Sequence, residues 1–356
     1  SFRRPCHSRG MDAKHRIDIA TPLLDWYDRH RRDLPWRARN GEVADPYRVW
    51  LSEVMLQQTT VATVRPRFNE WTRRWPTFAE LAAADESEVM AAWAGLGYYA
   101  RARNLLAAAR TIAAEHGGRL PDTEAALRAL PGFGDYTAAA VAAIAFGRRA
   151  VVVDANVERV VARLFAIDTP LPAARKAIRA ATDTITPDER AGDFAQAMMD
   201  LGSAICTPRR PRCLLCPLKH GCAAQAAGTP EAYPVKKPKA ARPHRHGTLF
   251  WLQRGHSVLL VRRPDKGLLG GMRALPTGPW SDAPPLLADA PADAGWQMLD
   301  EAVTHGFTHF TIDLAIAVAH TDVASNKGEW WPVDRLDEAG LPTVFAKAAD
   351  VVRRRA

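Results

Sequence analysis

The stretch LPGFGDYTAAAVAAIAFGRRAVVVD, residues 130–154, decides the fold. Pro131-Gly132-Phe133-Gly134 reads as a tight reversal between two helical segments, because glycine tolerates backbone angles closed to other residues. Such a corner points the amides of Phe133, Gly134 and Asp135 outward at a helix start, where a phosphate is well held. A short apolar helix follows, then a basic break, then Val151, Val152 and Val153 leading to Asp154. The stretch reads as a device that grips a nucleic-acid backbone and presents a carboxylate beside it.

A chain of 356 residues has room for two or three domains, each with its own core. Its composition, 47% apolar and 24% charged, is that of an ordinary globular protein, but its net charge is +9. So basic a surface attracts polyanions, with nucleic acid foremost, and the binding weakens as salt rises. The longest apolar run, Ala138 to Phe146, closes on Gly147 well short of a bilayer span, so no membrane partner is expected. Residues 1–10 are basic and lack the apolar centre of a secretory signal, and Met11 is a candidate start.

Apolar residues near helical spacing run from Ile17 to Arg31. The segment RDLPWR, residues 32–37, then leaves Trp36 and Arg37 on a loop after Pro35. From Tyr47 to Val64 the pattern is again helical. Glu53 sits among Val49, Trp50, Val54 and Leu56, and Gln57 and Gln58 stand at the helix end. A carboxyl in apolar surroundings favours its neutral form and can act as a general acid near neutral pH, whereas on a plain amphipathic helix the same residue would face solvent. A further helix over 85–93 runs into GLGYYARARNL, residues 95–105, where two glycines make a turn, two tyrosines follow, and Arg101 and Arg103 come next. Aromatics interleaved with arginines suit a distorted DNA backbone. Asp122 or Thr123 is the expected N-cap of the helix entering the opening hairpin.

Beyond Asp154 come Asn156, an amphipathic helix over 157–165, a Pro- and charge-rich connection, and a helix over 194–205. Then Cys206, Cys213, Cys216 and Cys222 crowd together, spaced C-x6-C-x2-C-x5-C. Without a secretion signal, such crowding means thiolate ligands to one metal centre in place of disulfides. A single C-x2-C flanked by longer gaps favours a four-iron cluster over zinc, which usually pairs two C-x2-C knuckles. Arg209, Arg210 and Arg212 lie on the loop such a centre would pin. Residues 223–246 read as a linker. Residues 248–253 and 257–263 then suggest a hairpin, 309–320 alternate as a strand, and 343–354 close as a basic helix.

Taken in order, RDLPWR, VWLSEVMLQQT, GLGYYARARNL, LPGFGDYTA, VVDANVERV and the cysteine run resemble the helix-hairpin-helix superfamily of DNA glycosylases, most closely its MutY, or adenine DNA glycosylase, family. The implied fold class is multidomain. An all-α helix-hairpin-helix core with an iron–sulfur loop spans 11–222, with a six-helix subdomain at 36–147 and an iron–sulfur subdomain at 11–35 and 148–222. A linker at 223–246 leads to an α+β Nudix-like domain at 247–356. The implied activity is monofunctional removal of adenine mispaired with 8-oxoguanine or guanine in double-stranded DNA, by a cytoplasmic, nucleoid-associated monomer carrying a [4Fe-4S] cluster on Cys206, Cys213, Cys216 and Cys222.

The resemblance also carries roles residue by residue. Glu53 is the general acid, Asp154 stabilises the cationic sugar, and Tyr136 and Asn156 orient them. Trp36, Arg37, Leu56 and Gln196 line the adenine pocket. Gln58 and Tyr98 enter the duplex while the base flips, and Gly132 and Gly134 hold the backbone. Tyr136 stands where the related endonuclease III type has lysine, and a phenol cannot form a Schiff base. In the C-terminal domain Phe307, Thr308 and His309 match a Phe-Ser-His lesion loop, with Thr in place of Ser. No Glu occurs between Glu231 and Glu301, so the glutamate-rich helix of a hydrolytic Nudix domain is not expected. Two readings stand beside this one. An endonuclease III-like glycosylase for oxidised pyrimidines is opposed by Tyr136, and a non-catalytic iron–sulfur DNA-binding module by the presence of both Glu53 and Asp154.

Overall fold

The computed structural model describes residues 18–39, 42–237, 241–264, 267–307, 309–325 and 327–355. Met11, Ile17 and Thr308 therefore lie outside the described residues. In chain order the helices are α1 (Ala20–His30), α2 (Pro46–Met55), α3 (Val61–Arg74), α4 (Phe78–Ala83), α5 (Glu86–Ala92), α6 (Ala100–Glu115), α7 (Glu124–Arg128), α8 (Asp135–Phe146), α9 (Ala155–Leu164), α10 (Arg175–Ile185), α11 (Ala191–Ala204), α12 (Ala223–Ala226) and α13 (Thr343–Arg353). The strands are β1 (His244–Arg254), β2 (Ser257–Arg262), β3 (Arg273–Ala274), β4 (Gln297–Met298), β5 (Val303–Gly306), β6 (Thr311–His320) and β7 (Glu329–Pro332). Two compact units result, one built from residues up to 54 with 119–237, the other from 55–118 with 238–356. Among the described residues no helix is long and apolar enough to cross a membrane.

The first unit is helical. Leu23, Trp26 and Tyr27 of α1, Val157, Val160, Val161 and Leu164 of α9, and Phe194, Met198 and Leu201 of α11 share one core. Close approach is made possible by small residues. Residues 137–143 of α8 are all buried and five of the seven are alanine, and α11 passes so near that a Cβ on Gly192 would stand 2.4 Å from the carbonyl oxygen of Ala143.

The second unit joins helices α3–α6 to a sheet ordered β3-β2-β1-β6-β4, with β5 also on β6 and β7 also on β2. Its centre is the parallel pair β1–β6, in register from His244 opposite Thr311 to Gln253 opposite His320. Leu249, Trp251, Leu314 and Ile316 face α13 through Val344, Phe345 and Ala348. The other face has a smaller cluster of Leu252, Leu259 and Ala319 beside Trp296 and Trp330.

Several expectations change. The helix expected from Tyr47 to Val64 is two helices: α2 stops at Met55, Gln58 takes a left-handed φ of 59°, and Thr60 caps α3 by accepting from the Thr63 amide. Asp122 pairs with Arg148, and Thr123 is the N-cap of α7. The connection before α11 contains α10, whose Ile178 is fully buried. The expected linker is not a free spacer, since Tyr233 packs in the first unit's core, the Leu171 amide donates to the Val235 carbonyl at 2.9 Å, and β1 begins at His244. Along β6 the alternation is broken near its end, where Ala317 is buried as well as Ile316 because the sheet is covered on both faces.

Gly192→Ala is expected to destabilise the protein by about 1–3 kcal/mol, since backbone must move to admit the methyl group. A Cβ on Gly134 meets nothing within 4 Å, so Gly134→Ala should cost only about 0.5 kcal/mol, the loss of a good N-cap residue. Urea denaturation of both variants checks the contrast.

Candidate active site and nucleic-acid interface

Every residue of α2 from Val49 to Met55 is buried, so the helix has no solvent stripe for Glu53 to occupy. Glu53 is 7% exposed. Tyr136, in the first turn of α8, donates its hydroxyl to Glu53 Oε2 at 2.5 Å. Burial raises the Glu53 carboxyl from its ordinary 4.5 to about 7, the Tyr136 hydrogen bond opposes the shift, the negative charge of Asp154 adds to it, and Arg37 opposes it. Burial, with the charges of Glu53 and Asp154, holds the Tyr136 phenol well above its usual range, so it remains a neutral donor.

Asp154 is fixed differently. It is the N-cap of α9, with Oδ1 accepting from the Val157 amide at 2.7 Å and Oδ2 from Asn156 Nδ2 at 2.8 Å. The other end of the Asn156 amide accepts from Arg159 Nη2 at 2.9 Å, so both of its polar groups are engaged. The result is two carboxyl groups in unlike settings, one buried and favouring its proton, the other bound by donors that suit an anion.

Of the residues expected around a base, Trp36 is 6% exposed. Arg37 donates both Nη atoms to Asp200, at 2.6 and 2.8 Å, and Asp200 also accepts from Arg32 Nε at 2.5 Å. Gln196 donates along α11 to the Gly192 carbonyl at 3.4 Å. Asp200 was not singled out from sequence, although a carboxylate inside the apolar run AGDFAQAMMDLGSA, residues 191–204, is a signal that it must meet a cation. In the hairpin Gly132 has a φ of 73°, while Gly134 caps α8 with an ordinary φ of −78°. The expectation that the Phe133 amide faces outward is corrected: it donates to the Leu130 carbonyl at 3.2 Å, and its ring stacks on Trp50.

In the second unit Leu56 and Gln58 follow α2, and Tyr98 lies in the loop before α6. Gln58 and Tyr98 are exposed and both have left-handed backbone, with φ of 59° and 50°. Arg101, another residue whose role sequence left general, ties the two loops together: it donates to the carbonyls of Met55, Leu96 and Gly97, at 3.2, 2.8 and 3.0 Å. Phe307 is half-buried against Trp280 and Phe310, and His309 is exposed.

Cys206, Cys213, Cys216 and Cys222 form no disulfide and line one small pocket. Burial pushes Cys216 up to about 12 and raises Cys213 and Cys222 as well, so the thiolate forms require a cationic centre. Arg163, 2% exposed on α9, braces the loop through the carbonyls of Cys206, Thr207, Pro208 and Tyr233. An arginine on the buried face of VERVVARL was the signal for it.

Comparison with known proteins gives a consistent result. Residues 51–186 match the HhH-GPD superfamily of base excision DNA repair proteins, and residues 248–350 match the NUDIX domain family. The chain is 45% identical over 208 residues to an adenine DNA glycosylase of Mycolicibacterium smegmatis, covering 58% of this chain and 70% of the relative. It is 38% identical over 310 residues to an adenine DNA glycosylase of Homo sapiens, covering 72% of this chain and 57% of that one. Among solved structures it is similar to a thermostable thymine-DNA glycosylase, with 31% identity and a TM-score of 0.52 over 58% of this chain and 95% of that one.

Because Glu53 keeps its proton in the folded state up to about pH 7 but only to its ordinary 4.5 when unfolded, its stabilisation is complete below pH 4.5 and is lost as pH rises through 7. Glu53→Gln escapes that loss. Its stability relative to the parent chain should rise between pH 5 and pH 8 by on the order of 3 kcal/mol, measured by urea denaturation at both pH values.

Proposed function

The chain belongs to the adenine DNA glycosylase family, and from that premise we propose that it is a monofunctional glycosylase that excises adenine mispaired with 8-oxoguanine or guanine in double-stranded DNA. The observation that carries this reading is the buried, proton-holding Glu53 bonded to Tyr136 and raised further by the charge of Asp154. Glycosidic cleavage asks for such a pair: an acid for the leaving group and a carboxylate for the oxocarbenium-like sugar. Glu53 gives its proton to adenine N7, since the unprotonated purine anion leaves poorly. Asp154, ionised, stabilises the sugar or bonds to it transiently. Tyr136 holds Glu53 and Asn156 holds Asp154. With a phenol at 136 in place of an amine, no Schiff base forms there; water adds to the sugar C1′ and releases a proton, and the product is an abasic site.

The adenine reaches this pair by leaving the stack. Gln58 and Tyr98 serve as the wedge, Gly132 and Gly134 form a backbone-gripping turn, and Trp36 and Gln196 line the pocket. Arg37 acts as scaffold, its guanidinium being engaged by Asp200. In the Nudix-like domain Phe307, Thr308 and His309 form the loop that reads the lesion. Cys206, Cys213, Cys216 and Cys222 would hold a [4Fe-4S] cluster, which supplies a rigid anchor for the basic loop carrying Arg209, Arg210 and Arg212. The protein acts as a monomer on DNA in the cytoplasm.

Single-turnover cleavage of duplexes with adenine opposite 8-oxoguanine, guanine or thymine tests the reading. Strand breaks should appear only after alkali and fastest opposite 8-oxoguanine; breaks without alkali would contradict it. Glu53→Gln and Asp154→Asn should each lose at least about 100-fold in excision rate with duplex affinity kept, and unchanged rates would remove these residues from the reaction. Cys213→Ser should lose its iron and bind duplex more weakly.

A further inference from the structure

Apart from the cysteine loop, one other cluster of metal-ligating side chains stands out, at the paired beginnings of β1 and β6. We propose that His244, His246 and Asp313 form a site for one divalent transition-metal ion of the zinc class. Their ligand atoms all lie within 4.8 Å of one another, the only such group among the described residues. The strand register brings them together: His244 stands opposite Thr311 and His246 opposite Asp313, and Thr304 of β5 is opposite Asp313 on the other side. Because side chains alternate along a strand, these residues share the face away from Ile312 and Leu314, which are fully buried in the core. The ligands are thus held by a sheet rather than by a loop, and the side chains of His244 and Asp313 remain 44% and 41% exposed, open to an incoming ion and its water.

The surroundings have the form of a metal site's outer layer. Thr304 Oγ1 donates to Asp313 Oδ1 at 2.7 Å, orienting the carboxylate and leaving Oδ2 directed at His244 Nε2, 2.9 Å away. Thr311 Oγ1 lies 2.9 Å from His244 Nδ1. When Nδ1 donates its hydrogen to that hydroxyl, the lone pair of Nε2 is free to face an ion seated between it and the Asp313 carboxylate. The rings of His244 and His246 meet edge to face with centroids 4.8 Å apart, so neither covers the other's nitrogens as a stacked pair would. Donors on a tetrahedral zinc lie about 3.3 Å apart, a distance reached from here by side-chain rotation. Two imidazoles and a carboxylate favour zinc and its neighbours over magnesium or calcium, which prefer all-oxygen shells. An ion here would tie β1 to β6 at the base of the turn in which the Phe307 amide donates to the Phe310 carbonyl at 2.9 Å.

The test uses the full chain with its cysteine centre loaded, dialysed to equilibrium against Zn2+, with bound zinc and iron counted by plasma mass spectrometry. The parent chain should hold one zinc more than His246→Gln or Asp313→Asn, at equal iron content. Thr304→Ala, which removes no ligand, should keep the zinc but weaken it about tenfold or more in a calorimetric titration. Equal zinc in the parent chain and both ligand variants, each with an unchanged circular dichroism spectrum, would overturn the proposal and leave a His–Asp ion pair. So would zinc that disappears only with Cys213→Ser.

Discussion

Keeping a carboxyl group out of water is the constraint on which much of the first unit turns. Glu53 can be buried only if α2 is enclosed all round, if Tyr136 arrives at bonding distance, and if the proton is retained. α8 delivers Tyr136 because Gly134 lets it start at the hairpin and its run of buried small residues lets it lie against α11. α11 also carries Asp200, which immobilises Arg37, and Arg37 in turn moderates how far the proton is held. Losing any one of these supports changes the acid before it changes the fold.

A second buried charge follows the opposite logic. Arg163 is almost fully enclosed, and its guanidinium meets several carbonyls of the cysteine loop and its surroundings, which replace water with fixed dipoles. One unit therefore contains a buried acid that holds its proton and a buried guanidinium satisfied by backbone carbonyls. A carboxyl can be neutralised near pH 7 and a guanidinium cannot.

Much of this was legible in the sequence, for reasons that differ by residue. The hairpin was readable because glycine at a turn is a local backbone requirement. Asp154 stood out as the carboxylate that ends the valine run, though its place as the α9 cap was not read there, and the four cysteines stood out by their crowding. Periodicity misled at Glu53: it identifies amphipathic helices, and α2 is buried on every side from Val49 to Met55. It also ran two helices together across residues 56–60, since a left-handed Gln58 leaves no mark in composition. The pairings of Asp200 with Arg37 and of Arg101 with the Met55 carbonyl were illegible, because the fold brings these partners together from 163 and 46 residues apart.

The parallel pairing of β1 with β6 sets the order in which the sheet can be assembled. Partners in that ladder are 67 residues apart in sequence, with four strands between them. A chain emerging from the ribosome presents β1, with residues 247–252 destined for complete enclosure, long before its neighbour exists. The β1–β2 hairpin, paired only over two residues on each strand, gives it limited cover in the interval. Nonlocal pairing of this kind is slow, and an apolar strand with an open edge is prone to association with other chains. The sheet is thus a late event in the life of the molecule, completed only when β6 and α13 have been made.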